Sequence, residues 1–426
     1  MSPSDRIGAA GWRLVLLASL GGALEFYDFV IFGIFARDIA EAVFPQADPL
    51  ASLMATFAAF AAGYLARPIG GIVLAHYGDR YGRRKVFIWS VFVMSAATLG
   101  IGLVPPHAQI GVAASVLMVA LRLVQGFCLG GELPGALTYV VEAAPRIAPL
   151  VAGIVFACVT MGVAVATGVS LSVRTFLDPS LVPYYGWRIA FVLGGLGGVL
   201  SFWLRRSLEE SPEFERMKSL ASRQPFSEML KTHTVHVLVG SALLAGTGCF
   251  NGLFFSHLPA YLSTVLKYDP RDAVLSQTAG VLAAAFGIFL TGWIGDRVPP
   301  RYLLRTGVVL LFSLALPFYG ALEARSANLT LVCVLAGLCS GLTNGSFAVL
   351  LTDLFPTRIR FTGVALIFNV SFTLFSGMAP LAATTLIRET GSVTSPAYLM
   401  MGTAVLALLG SLWVDRFGGN VLRRPA

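Results

Sequence analysis

Residues 70–86 read GGIVLAHYGDRYGRRKV: an apolar run that stops on Gly-Asp-Arg and turns through a cluster of basic side chains. The same event recurs at residues 289–304, FLTGWIGDRVPPRYLL, about half the chain length later. A second echo pairs VEAAPRIAP at 141–149 with TDLFPTRIR at 352–360, each closing another apolar run. Two such echoes, each about half the chain apart, mark two homologous halves. Repeated halves with a binding site between them near the bilayer midplane are the usual build of secondary transporters.

Working outward from these turns, hydrophobic stretches fall at about 12–36, 50–76, 86–104, 110–142, 149–176 and 186–204, then at about 235–265, 272–295, 303–322, 328–351, 361–388 and 396–414. Each is near the roughly 20 apolar residues that cross a bilayer as a helix. Only helices suit such a chain, because lipid offers no partner to open backbone groups. The short alternating segments of a membrane barrel are missing. The predicted fold class is therefore an all-α membrane protein of 12 transmembrane helices in two pseudo-symmetric six-helix bundles.

Composition points the same way. Of the 426 residues 56% are hydrophobic and only 12% charged, against about 25% charged in a soluble domain. The net charge of +8 comes from basic residues placed between apolar runs and not on one face, which argues against nucleic acid as a partner. Cys128, Cys158, Cys249, Cys333 and Cys339 all sit inside apolar stretches without CxxC spacing and read as small buried hydrophobes. The first run has no small-residue cleavage site and reads as a retained span.

Lys and Arg set the orientation. They favour the side carrying both termini by about three to one, which makes that side cytoplasmic in a bacterial inner membrane. The expected organisation is an N-terminal bundle at 1–205, a cytoplasmic linker at 206–234 and a C-terminal bundle at 235–426. The linker is charged, helix-friendly and too short for a catalytic domain, and it reads as an amphipathic connector.

At these residues the chain resembles the major facilitator superfamily. Gly78-Asp79-Arg80-Tyr81-Gly82-Arg83-Arg84 is similar to its signature loop between helices two and three, and Arg122-Leu123-Val124-Gln125-Gly126 to its helix-four motif. Within the superfamily LEFYDF (24–29), LARPIGG (65–71), RLVQGFCLGGE (122–132), YYGWRIAF (184–191), LPAYLSTVL (258–266) and LFPTRIRFTG (354–363) resemble the metabolite:proton symporters that carry osmolytes, citrate, oxoglutarate and shikimate. The chain departs from that group at Phe26 and at Leu133-Pro134, where the group has Trp and Trp-Gly. The resemblance implies that helices one, four, seven and ten line the central cavity. It also implies that Asp79, Arg80, Arg83 and Arg84, with Asp353 and Arg358, form a gating relay that latches the halves together.

Charge within a membrane costs several kcal/mol unless paired or hydrated, so each such residue is a functional candidate. The first half has Glu25, Asp28, Arg67, Arg122 and Glu132; the second offers Asn251, His257, Asn344 and Asn369 instead. At about 1.5 Å per residue, Glu25 falls near the middle of helix one and Asp28 one turn further out. Helix four runs the other way, which puts Arg122 at the depth of Asp28 and Glu132 a turn or so inward. Asp28 facing Arg122 is the geometric expectation. A carboxylate held by an arginine stays charged; when an anionic substrate takes the arginine, the carboxylate takes a proton. Asp28 is the first candidate for that proton, with Glu25 and Glu132 behind it and Arg122 as the partner of carboxylate or substrate. Arg122, Glu25, Tyr27, Gln125, Asn251, His257, Asn344 and Phe26 are the substrate-contact candidates. The competing reading is a set of static ion pairs and helix–helix hydrogen bonds.

No catalytic residues, cofactor or metal are expected: there is no nucleophile–base pair and no Walker A sequence, and His233 and His236 stand without a Cys nearby. The expected partners are a small-molecule substrate, protons and the lipid bilayer, with the chain a monomer. The expected function is proton-coupled import of a small carboxylate or zwitterion by alternating access. A uniporter, a proton-antiport exporter, uptake of a larger chelate such as a siderophore, and a membrane sensor are the alternatives. Helix five, FACVTMGVAVATGVSLSV (156–173), lacks the Gly-Pro of the superfamily's exporters.

Overall fold

The structure is a computed structural model that describes residues 9–81, 83–130, 132–206, 232–325 and 327–417. The described residues form helices and no strands. The helices of the first half are α1 (Ala9–Ile34), α2 (Pro49–Tyr81), α3 (Arg83–Gly102), α4 (Val112–Cys128, continued as Glu132–Ala143), α5 (Ala148–Phe176) and α6 (Trp187–Arg206). The second half has α7 (Thr234–Val265), α8 (Pro270–Gly295), α9 (Pro300–Ala324), α10 (Leu329–Asn344, continued as Phe347–Asp353), α11 (Thr357–Ser371, continued as Ala379–Thr390) and α12 (Pro396–Phe417). Among the described residues eight helices are long and apolar enough to cross a bilayer unaided, and a ninth counts if α1 and its continuation are one span. Residues 207–231, which include most of the expected linker, lie outside the described residues.

Several helices are less regular than their apolar patterns suggest. The first span, expected straight over 12–36, turns by 61° at Phe35 into a short helix, Ala36–Val43. The fourth, expected unbroken over 110–142, is interrupted between Cys128 and Glu132. Its counterpart α10 is interrupted at Gly345-Ser346, so the repeat extends to the breaks. Helices α7 and α11 widen into π turns at Asn251–His257 and Phe372–Gly377. Each widening leads into a proline, Pro259 or Pro380. A proline has no N–H to return to the carbonyl four residues earlier and its ring crowds that carbonyl, so the preceding turn loosens.

Glycine pairs let the backbones touch. A Cβ on Gly126 of α4 would lie 1.7 Å from the carbonyl oxygen of Gly63 on α2. In the other half a Cβ on Gly337 of α10 would lie 2.0 Å from that of Gly280 on α8. These are equivalent crossings, made by the same small-residue packing. Across the halves, α5 meets α8 at Gly153 and Gly292, and α2 meets α11 at Tyr64 and Gly377. Leu16, Leu20, Trp89, Leu200, Trp203, Phe286, Leu409 and Trp413 remain exposed around the outside, an apolar girdle facing lipid. The face where α1 begins, α12 ends and the Gly-Asp-Arg turns lie is called the basic face below.

Candidate functional site

The most withdrawn ion pair described joins α1 to α2. Arg67 Nη2 donates to Glu25 Oε1 at 2.7 Å, with each side chain only 2% exposed. The Arg67 guanidinium also lies 5.3 Å from the Tyr64 ring and 5.4 Å from the Phe29 ring. Tyr64 carries this pair to the seam, because its ring abuts Gly377 and its carbonyl accepts from Thr373 Oγ1 of α11 at 2.8 Å.

Asp28 and Arg122 do not touch. Thr98 Oγ1 lies 3.1 Å from Asp28 Oδ2; Gln125 Nε2 donates to Thr98 Oγ1 at 2.7 Å; Arg122 Nη1 donates to Gln125 Oε1 at 2.9 Å. Thr98 Oγ1 also lies 2.9 Å from the Met94 carbonyl, so its single proton serves one of two acceptors. Asp28 is thus tied to Arg122 through two neutral side chains from α3 and α4. Arg122 stands in an aromatic cage, its guanidinium 4.4 Å from Phe29, 4.5 Å from Phe32 and 5.3 Å from Phe60. Its Nε and Nη2 have no hydrogen-bond partner. Tyr27 and Asp28 turn toward α6: the Tyr27 hydroxyl donates to the Ala190 carbonyl at 2.8 Å, and a Cβ on Gly194 would meet Asp28 Oδ1 at 2.6 Å. Phe26 is buried. The Glu132 side chain lies outside the described residues.

The second half answers with neutral groups. Asn251 Nδ2 donates to Asn344 Oδ1 at 3.0 Å, and Asn344 Nδ2 to the Ser340 carbonyl at 3.2 Å. Gln277 of α8, absent from the sequence candidates, donates to the Phe254 and Phe255 carbonyls at 2.7 and 2.9 Å. Phe255 is four residues before Pro259, so Gln277 serves a carbonyl that the proline leaves without its helical donor. Asn369 Nδ2 donates to the Gly130 carbonyl at 2.6 Å, in the break of α4. His257 Nε2 lies 3.1 Å from Thr384 Oγ1, with the ring against Phe57 of α2.

On the basic face, Arg360 of α11 pairs with Glu142 of α4. Asp296, the acid of the second Gly-Asp-Arg, accepts from the Leu150 N–H of α5 at 3.3 Å. Burial pushes the Asp296 carboxyl up from its usual range, and the Leu150 bond pulls it back. Neither contact was among the gating candidates. Of those, Asp353 is buried, and the side chains of Asp79, Arg80, Arg83, Arg84 and Arg358 lie outside the described residues. An apolar groove of about 680 Å³ between α2, α3 and α4, lined by Ile69, Trp89, Val93, Leu123 and Phe127, opens sideways toward lipid, away from these charges.

Two halves, paired glycine crossings and buried ion pairs are the marks of a transporter, and residues 18–380 match the family pattern of the Major Facilitator Superfamily. The chain belongs to the Major Facilitator Superfamily. It is 34% identical to a citrate-proton symporter of Klebsiella pneumoniae over 96% of this chain and 92% of that protein. It is 30% identical to the glycine betaine/proline/ectoine/pipecolic acid transporter OusA of Dickeya dadantii, over 96% of this chain and 84% of the other. The proline/betaine transporter of Escherichia coli is also 30% identical, with 96% and 85% covered. Among solved structures, the proton:xylose symporter XylE bound to a bromodeoxyglucose superposes with a TM-score of 0.75 at 16% identity, covering 97% of this chain and 98% of that one. That likeness shows the shared twelve-helix fold. As a member of this superfamily the chain is a multi-pass membrane transporter and not an enzyme.

Proposed function

We propose that the protein imports a small metabolite bearing a carboxylate, as an acid or a zwitterion, together with protons, by alternating access between its two bundles in a bacterial inner membrane. The buried Glu25–Arg67 pair carries this reading. A substrate carboxylate can take the place of Glu25 on Arg67, because guanidinium binds any carboxylate by the same fork. Glu25 then loses that cation while still buried, where neutralisation by a proton costs less than an uncompensated charge. Substrate and proton arrive together, which is what a symporter requires. Asp28, tied to Arg122 through Thr98 and Gln125, is a second carboxylate able to take a proton when that chain rearranges.

The named relatives include carriers of a tricarboxylate and of zwitterions, and both classes present a carboxylate. The excess of basic residues at the termini supports cytoplasmic ends. Glu142–Arg360 and Asp296–Leu150 act with the Gly-Asp-Arg turns as contacts that must part when the basic face opens.

The test is uptake into proteoliposomes under an imposed pH gradient, acid outside, with labelled organic acids, amino acids and betaines. Gradient-dependent accumulation of one of them is expected. Glu25→Gln and Asp28→Asn should lose accumulation while keeping exchange of substrate for substrate. Uptake indifferent to the gradient would remove proton coupling. Undiminished accumulation by both variants would remove these two residues from it.

A further inference from the structure

His257 is held on three sides, and one of its ring nitrogens has no hydrogen-bond partner. Tyr261 stacks near one face of its ring at 5.6 Å and 27°, and Phe57 of α2 packs against it at 5.3 Å. Tyr261 is itself fixed by a hydrogen bond from its hydroxyl to the Val393 carbonyl at 2.9 Å. On the third side Nε2 meets Thr384 Oγ1. The Thr384 hydroxyl has one proton and two acceptors in reach, the Pro380 carbonyl at 2.7 Å and His257 Nε2 at 3.1 Å. The shorter contact takes that proton, which leaves Nε2 as the donor to Oγ1. Nδ1 is left as a bare lone pair. It is buried, in a residue 1% exposed, and has no hydrogen-bond partner.

The position of this lone pair matters as much as its state. His257 ends the π stretch of α7 and packs against α11 of its own half, while Phe57 belongs to the other half. One residue earlier, Ser256 presses on Gly33 of α1, where a Cβ would lie 2.6 Å from the serine Cβ. The acceptor thus sits where four helices, two from each bundle, converge. Leaving a buried acceptor unmet costs free energy that a bound donor recovers. A second buried acceptor of α7 is also unmet: Asn251 Oδ1, whose Nδ2 donates to Asn344 Oδ1 at 3.0 Å.

We propose that His257 is a specificity-determining residue whose Nδ1 accepts a hydrogen bond from the substrate, so that the carrier selects carboxylates that also bear an O–H or N–H donor. This rests on the carboxylate reading above and narrows it: hydroxy acids and primary or secondary ammonium acids are favoured over plain alkyl acids and fully methylated betaines.

The experiment compares matched pairs in proteoliposome uptake and in direct binding: citrate with tricarballylate, which lacks only the hydroxyl, and proline with N,N-dimethylproline, which lacks the N–H. The donor-bearing member of whichever pair is carried should be preferred by about tenfold or more, because a site built to meet a donor rejects the analogue without it. Two substitutions then separate the ring nitrogens. His257→Asn keeps an acceptor near the Nδ1 position and gives up the donor to Thr384; it should retain the preference. His257→Gln keeps a donor toward Thr384 and gives up the acceptor; its preference should fall to near unity. Equal use of both members by the unsubstituted protein overturns the inference while leaving the carboxylate reading standing, and that comparison needs no variant to fold. A preference that survives in His257→Gln and vanishes in His257→Asn also overturns it, since the Thr384 bond would then be what counts. Failure to bind or carry any of the four compounds overturns the carboxylate reading and the inference with it.

Discussion

Glu25 and Arg67 form a pair whose two members are not equivalent, and that asymmetry is measurable. Both side chains are 2% exposed and their closest atoms are 2.7 Å apart. Breaking such a pair by removing one partner costs about 3–5 kcal/mol when a charge is stranded. Arginine cannot shed its charge within a protein, whereas a glutamate can take a proton and become a neutral polar group. Glu25→Gln should therefore cost about 3 kcal/mol, because the Arg67 charge loses the carboxylate that holds it. Arg67→Met should cost less, about 1–2 kcal/mol, because a neutral carboxyl that loses one hydrogen-bond donor strands no charge. The double variant should return to within about 1 kcal/mol of the parent, since a buried pair replaced by uncharged groups of similar volume is often neutral. The assay is denaturant unfolding of the purified carrier in one detergent at fixed lipid content, followed as a double-mutant cycle. Two results would refute the reasoning. One is Arg67→Met proving more damaging than Glu25→Gln. The other is additivity of the two losses, which would mean that the residues are not energetically coupled.

Three further outcomes follow from single contacts. Gly194→Ala would place a Cβ 2.6 Å from Asp28 Oδ1 and 2.7 Å from Tyr27 Cε1; it should depress proton-driven accumulation several-fold, whereas Gly168→Ala, with nothing within 4 Å, should transport normally. Glu142→Gln removes the carboxylate from Arg360 and should loosen the basic face, read as faster hydrogen exchange at residues 140–150 and 355–365 with α9 and α12 unchanged. Asp296, pushed upward by burial, holds its proton more readily folded than unfolded. Its contribution to stability is therefore fully present below the unfolded carboxylate range and declines as pH rises through the folded value. Asp296→Asn should flatten that part of the stability profile, and a steeper profile in the variant would contradict the assignment.

The Gly-Asp-Arg echo made the two-half fold legible because it records where helices end at the membrane surface, and such ends need glycine and basic side chains for local reasons. Apolar runs gave the helices but not their irregularities. The bend at Phe35 and the break after Cys128 carry no periodicity signal. The π turns had one in Pro259 and Pro380, which remove backbone donors inside otherwise apolar runs. Counting rise along each helix put Asp28 and Arg122 at one depth, which agrees with the chain through Thr98 and Gln125. Rise alone does not give the direction in which a side chain leaves its helix, and Asp28 leaves toward Gly194 of α6. Arg67 was legible as an intramembrane charge, yet its partner was not. The guanidinium reaches well beyond its own turn, so position on the helix understates where the charge sits. Glu142 and Arg360 lie within the quoted echoes 141–149 and 352–360, an acid closing α4 and a base opening α11, and opposite charges at helix ends on one face are the signal there.

The halves share crossings and breaks but divide the chemistry between them. Glu25, Asp28, Arg67 and Arg122 are ionisable groups buried in the first bundle, where each is met by another charge, a hydroxyl, an amide or an aromatic ring. The second bundle buries Asn251, Gln277, Asn344 and His257, none of which is charged in the bonding pattern observed. Such a division suits a carrier whose halves rock against each other. Charges that pair within one bundle move as a unit, so the desolvation already met on folding is not repeated in each cycle. Neutral groups on the other bundle can then be covered and uncovered against them at far lower cost. Among the described residues of the seam helices, the π turns lie on α7 and α11, one against Gly33 and the other ending at Gly377, and loosened turns are where a helix bends most readily. Coupling would then reside in the rigid first half and motion in the second. The corresponding measurement is exchange protection across the cycle: α7 and α11 should change with substrate and pH, while α1 and α4 stay protected around their charges. Equal change in both sets would assign motion and coupling to the same bundle and dissolve the division.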